Sequence, residues 1–148
     1  MDREAFRTEV TTAMVGNLSQ IETFLAPVGG RDESLTALKQ RLHVAADAYA
    51  TMLQEPDTAE QAAISLVHAL FGSVGDPPVD WWKTEAGQAV AHAIGYHRER
   101  AYRADVQAIL GISRQRVHEL VAKDVLVEDN LGITAESIRA RVRSQRAM

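Results

Sequence analysis

Apolar residues recur along most of this chain at the three-to-four-residue step of helices, and no run alternates with the step of two expected of a strand before residue 124. Phe6, Val10, Met14, Leu18, Ile21 and Leu25 draw one apolar stripe. It predicts a helix over about residues 2–25, with Arg7, Thr11, Thr12, Ser19 and Glu22 off the stripe. Pro27, Gly29 and Gly30 are expected to stop it, because proline lacks an amide donor and glycine accepts left-handed dihedrals. Leu35, Leu38, Leu42, Ala45, Tyr49 and Met52 then follow a strict heptad-like repeat, with Asp32 or Ser34 as the cap. Such a seam serves either the core of a helical bundle or a dimer interface. The short connection Ala26–Arg31 makes the two helices antiparallel neighbours.

Pro56 closes that region, and Thr58-Ala59-Glu60-Gln61 reads as a capping box for a helix over 59–71. Apolar residues on nearly every face of that helix predict burial all round, with His68 a core or edge histidine. Gly72–Pro78 is a loop, and Trp81-Trp82 opens a further helix over 81–94. Two adjacent tryptophans cannot share one helical face, so one is expected to seal the core while the other covers a neighbouring surface, with a partner-binding anchor as the alternative. Gly95 is the expected C-cap, ahead of a basic connector over 96–100.

Residues 103–122 carry the most specific pattern. Val106, Ile109 and Leu110 form the inner side of a short helix, Gly111 supplies a left-handed turn, and Ile112 plugs the angle. Ser113 caps a second helix with inner residues Val117, Leu120 and Val121. Two short helices crossing around a glycine describe a helix-turn-helix, although an ordinary helical hairpin also places a glycine there. Arg114, Gln115 and Arg116 occupy the first turn after the cap, and His118 follows. Arginine can pair bidentately with guanine and glutamine with adenine, so this surface has the chemistry to read base edges. Val125–Val127 and Leu131–Ile133 flank Glu128-Asp129-Asn130 as a small β-hairpin. Thr134 then caps a closing helix with Ala135, Ile138 and Val142 inward, and Arg139, Arg143 and Arg146 on an adjacent basic stripe.

Charge divides the 148 residues unevenly. Residues 1–97 hold six lysines and arginines against thirteen acids, or −7, while residues 98–148 hold ten against seven, or +3, which together give the net −4. An acidic body with a mildly basic tail makes the tail the candidate for nucleic acid. The absence of cysteine removes disulfides, thiol nucleophiles and Cys-based zinc or iron–sulfur sites. The five histidines show no zinc-ligand spacing, and no Walker loop, GxGxxG or Gly-x-Ser-x-Gly run occurs. No enzymatic activity, metal or cofactor is therefore expected. The longest uncharged stretch, Gln61–Gly75, is too short and polar to span a bilayer, and Met1-Asp2-Arg3-Glu4 lacks a signal-like apolar core. No membrane association and a cytoplasmic location are the resulting expectations.

The order helix-turn-helix, hairpin, helix over about residues 103–146 resembles the winged DNA-binding module of the MerR and phage-excisionase type. The resemblance implies that Arg114, Gln115 and His118 contact bases, and that Ser113, Arg116 and Lys123 contact phosphate. Arg139 and Arg143 are candidates for tracking the backbone. Two features depart from the family pattern. Gln107 stands where such motifs usually carry a small alanine, and Glu128 and Asp129 stand at the expected wing tip where Arg or Lys is usual. Phosphate repels carboxylates, so these two are expected to turn away from DNA, toward Arg139 or Arg143.

The fold expected is all-α: an N-terminal helical bundle over 1–95, then a winged helix-turn-helix over 96–148. Its expected partner is double-stranded DNA, bound by a homodimer formed through the N-terminal helices, as a small prokaryotic transcriptional regulator. Two alternatives are an antitoxin-like protein whose N-terminal helices bind a protein partner, and a phage-type excision or architectural factor.

Overall fold

A computed structural model describes residues 1–25, Pro27 and 33–147, without the side chains of 19–22, 25, 33–35 and 147. Of the connection 26–31 only Pro27 is described, the Asp32 cap and the Ile21, Leu25 and Leu35 side chains lie outside the described residues, and Ser34 falls inside α2 instead of capping it. The chain is mostly helical, with one small antiparallel sheet. Its elements are α1 (Arg3–Leu25), α2 (Glu33–Gln54), α3 (Ala59–Phe71), α4 (Glu85–Ile94), β1 (Arg100–Ala101), α5 (Arg103–Leu110), α6 (Arg114–Ala122), β2 (Glu128–Asp129), β3 (Gly132–Thr134) and α7 (Ala135–Ala147). Among the described residues no helix is long and apolar enough to cross a membrane.

The α1 stripe turns inward as expected, burying Phe6, Val10 and Leu18, with Thr11 drawn in beside them. The guanidinium of Arg3 donates to Gln54 Oε1, Thr51 Oγ1 and the Asp47 carbonyl, which sets the start of α1 against the end of α2. The two helices are therefore antiparallel. The buried line of α2 is Ala46, Ala50 and Leu53, one position beyond the expected seam. Tyr49 and Met52 flank that line, whereas Ala45 is exposed and Leu38 stays 38% exposed. Small alanines let α1 approach closely, so the larger seam residues are left at the margin.

Three further local expectations are revised. Thr58 does not close a capping box, because its hydroxyl donates back to the Met52 carbonyl at 2.8 Å. Only one side of α3 is buried, through Ala62, Ala63, Leu66 and Val67, while Ile64, His68 and Ala69 face outward. The helix expected over 81–94 breaks at Thr84, whose Oγ1 accepts from the Gly87 amide at 3.1 Å and starts α4. A 3₁₀ turn, Val79–Lys83, precedes it and carries the two tryptophans. Trp82 is fully buried, stacked on Tyr96 at 5.2 Å, and Trp81 meets the edge of Phe71 at 5.1 Å. One tryptophan thus seals the core and the other covers its margin.

Gly95 ends α4 as expected, with φ +78°, at a close approach of α7. A Cβ there would stand 2.1 Å from the Ala135 carbonyl oxygen, so only glycine fits without displacement. Beyond it, Tyr96 donates to Asp105 Oδ2 at 2.7 Å in the interior, and burial pushes the phenol pKa up. Buried residues from Phe6 to Val142 belong to one continuous core, which crosses the 95/96 boundary.

The sheet has the order β1-β3-β2. Its hairpin lies three residues later on the first strand than expected, pairing Glu128 with Ile133 and Asp129 with Gly132. Asn130 and Leu131 form the tip, so Glu128 and Asp129 are strand residues. The unforeseen strand β1 pairs with β3, Arg100 opposite Thr134 and Ala101 opposite Ile133, and this pairing fixes the register. Thr134 Oγ1 accepts from the Ser137 amide at 3.3 Å, capping α7 as expected, and Ile138 and Val142 are buried.

Candidate nucleic-acid interface

Local chemistry explains the corner between α5 and α6. Gly111 sits in the left-handed region (φ 65°, ψ 38°), and its amide bonds the Gln107 carbonyl to close α5. Ser113 then takes an extended conformation, and its Oγ accepts from the Arg116 amide at 3.1 Å. That hydroxyl thus satisfies a free amide at the start of α6. No acid occupies the first turn of α6, so its positive helix end is not screened from within the helix. Val117 and Leu120 anchor the inner side.

The outer side carries the expected polar residues. Arg114, Gln115, His118 and Lys123 are exposed. The side chains of Arg114, Gln115 and Lys123 have no hydrogen-bond or ion-pair partner among the described residues. Arg116 is half-buried and pairs with Glu119 one turn on, at 3.0 Å, so part of its charge is spent within the helix. Arg114, Gln115 and His118 line one open depression of about 440 Å³ together with Arg103, a residue not expected there.

Arg103 explains the acidic strand. Its Nε and Nη2 donate to Glu128 Oε2 and Oε1 at 2.8 and 2.6 Å, a two-pronged pair, and its Nη1 lies 3.5 Å from His118 Nδ1. Arg100 grips Asp129 through one oxygen, its Nε and Nη2 both meeting Oδ2 at 3.0 and 2.9 Å. Both carboxyls are held below their ordinary pKa, Glu128 by Arg103 and Asp129 by Arg100. The two acids expected to meet Arg139 or Arg143 thus meet Arg100 of β1 and Arg103, the first residue of α5. The separation of 25 residues between Arg103 and Glu128 gives no local signal of this pairing.

Arg139 and Arg143 are not brought to this surface. Arg139 pairs with Glu60 at 3.6 Å, and Arg143 donates to the His92 and Ala93 carbonyls at 3.1 and 3.5 Å. Packing of α7 along α4 turns these side chains to that helix and to α3. Arg143 and Arg146 line a second, separate cleft. Among the described residues no group of three or more potential metal ligands occurs. No family model, curated protein or solved structure matches the chain.

Proposed function

We propose that the chain is a sequence-specific DNA-binding protein, with α5 and α6 as a helix-turn-helix, the β2–β3 hairpin as its wing, and α6 entering the major groove. One observation carries the reading. The first two turns of a capped helix present Arg114, Gln115 and His118 to one open depression, and Arg114 and Gln115 are without an internal partner. Unspent donors of these kinds suit guanine and adenine edges. Arg103 lines the same depression but is held by Glu128, and Lys123, exposed at the end of α6, suits a phosphate. The acids of the wing do not oppose the approach, since Arg100 and Arg103 neutralise them, and the tip offers Asn130 and Leu131.

In this reading the protein is a small transcriptional regulator acting as a dimer, because one such module buries little surface for strong specific binding. Exposed Phe24, Leu38 and Val44 on α1 and α2 support that self-association. They equally support the second reading, an antitoxin-like protein that holds another protein on those helices. Selection of bound duplexes from random DNA tests the first claim: a shared sequence motif is expected, and recovery of unrelated sequences contradicts it. Light scattering of the purified protein separates the two readings, a dimer favouring self-association and a monomer favouring a different partner.

A further inference from the structure

We propose that the cleft bounded by the α2–α3 corner, α4 and α7 binds a small amphipathic carboxylate, an anion carrying an apolar body. The cleft has a volume of about 550 Å³, well suited to a small molecule. Leu53, Ala59 and Ala89 give it an apolar side, and His92, Arg143 and Arg146 give it a cationic, hydrogen-bonding side. No carboxylate lines it among the described residues.

The arginines here, like Arg114 on α6, have no acid as partner, unlike several others in the chain. Arg98, Arg100, Arg103 and Arg139 each reach an acid. Arg143 instead spends Nε and Nη2 on carbonyls at the end of α4, a placement that the helix dipole favours but that leaves its charge without an anion. Arg146 has no partner at all among the described residues. A role for Arg143 in closing α4 does not account for Arg146. His92 registers these charges: burial first, then Arg146, Arg143 and the amino group of Met1, which also lines the cleft, hold its pKa below the ordinary histidine value. These cations beside an apolar wall favour a ligand whose carboxylate meets the guanidinium groups while its hydrocarbon covers Leu53 and the alanines. Inorganic phosphate would satisfy the charges and leave the wall wet. Binding here requires no DNA, so this proposal stands or falls apart from the preceding one.

Octanoate is the probe, with 1-octanol, acetate and inorganic phosphate as controls, titrated against the full chain while the His92 ring signals are followed by NMR. Octanoate is expected to shift those signals, raise the His92 pKa, and bind at least roughly tenfold more tightly than acetate, phosphate or octanol. Arg146→Gln, which removes no contact with a described residue, is expected to weaken octanoate roughly tenfold while the circular dichroism stays unchanged. Phosphate binding as tightly as octanoate would overturn the apolar half of the proposal, and octanol doing so would overturn the cationic half. Unmoved His92 signals would overturn all of it. So would an Arg146→Gln protein that binds octanoate normally but has lost affinity for a DNA duplex, which would assign the arginine to DNA.

Discussion

The paired helices α1 and α2 and the short elements from β1 to α7 are held by different means. In the first region Phe6 and Val10 pack with Ala46, Ala50 and Leu53 in the core, while Leu38 and Val44 remain exposed at 38% and 71%. Much of its contact is between small side chains spread along the helices. In the second, Val117, Leu120, Leu126, Ile133 and Ile138 are almost wholly buried, and nearly every element end has a named fastening. Ser113 and Thr134 cap helices, Gly111 turns the chain, and Arg100 and Arg103 hold the hairpin. A long helix tolerates the loss of one contact because neighbours on the same face persist. Short elements depend on single residues, so substitutions should be felt far more sharply there.

Paired truncations offer the largest effect. Leu120→Ala should cost about 2–5 kcal/mol, since it opens a cavity in a site the chain fills completely, whereas Leu38→Ala should stay within about 0.5 kcal/mol. Urea denaturation of both variants checks the contrast. A loss at Leu38 as large as at Leu120 would break it, and would show that the α2 seam is covered in solution by another chain.

The turn comes next. A Cβ on Gly111 meets no atom within 4 Å, so Gly111→Ala should cost only the left-handed backbone, about 1–2 kcal/mol. Thermal unfolding tests this. A much larger loss would mean that the corner between α5 and α6 is packed more tightly than its open geometry implies.

The hairpin fastenings give the smallest effect, and it carries a pH signature. Because Arg103 and Arg100 lower the Glu128 and Asp129 pKa values in the folded protein, their stabilisation is present at neutral pH. It disappears as the pH falls through those lowered values. Arg103→Gln should therefore remove a few tenths of a kcal/mol at pH 7 and make stability fall less steeply on acidification. Chemical denaturation at neutral and acid pH reads the difference. An unchanged slope would show that the Arg103–Glu128 pair is not formed in solution.

Legibility in the sequence follows the same division. Gly111 and Ser113 act through their own backbone and immediate neighbours, so the α5–α6 corner and its exposed Arg114, Gln115 and His118 could be placed from spacing alone. Thr134 and Gly95 were equally plain. The hairpin register was not, because it is set by pairing with β1, more than thirty residues before β3. Arg103 was missed for the same reason, its partner Glu128 lying far along the chain. The α2 seam fell one residue short of the buried line because the repeat was drawn through the larger side chains, whereas small Ala46 and Ala50 face the core. Thr58 and Trp81-Trp82 misled through competition: the threonine hydroxyl found the Met52 carbonyl, and the Thr84 cap divided one expected helix into two segments.

The central claim is that the exposed start of α6 reads DNA sequence. Its most direct test is the affinity of wild type and Arg114→Ala for a selected site and for unrelated duplex, each at two salt concentrations. Loss of the arginine should cost about 1–3 kcal/mol on the selected site and much less on unrelated DNA, with base preference relaxed at one position. Equal affinity of the two proteins for both duplexes, or no binding by either, would contradict the account.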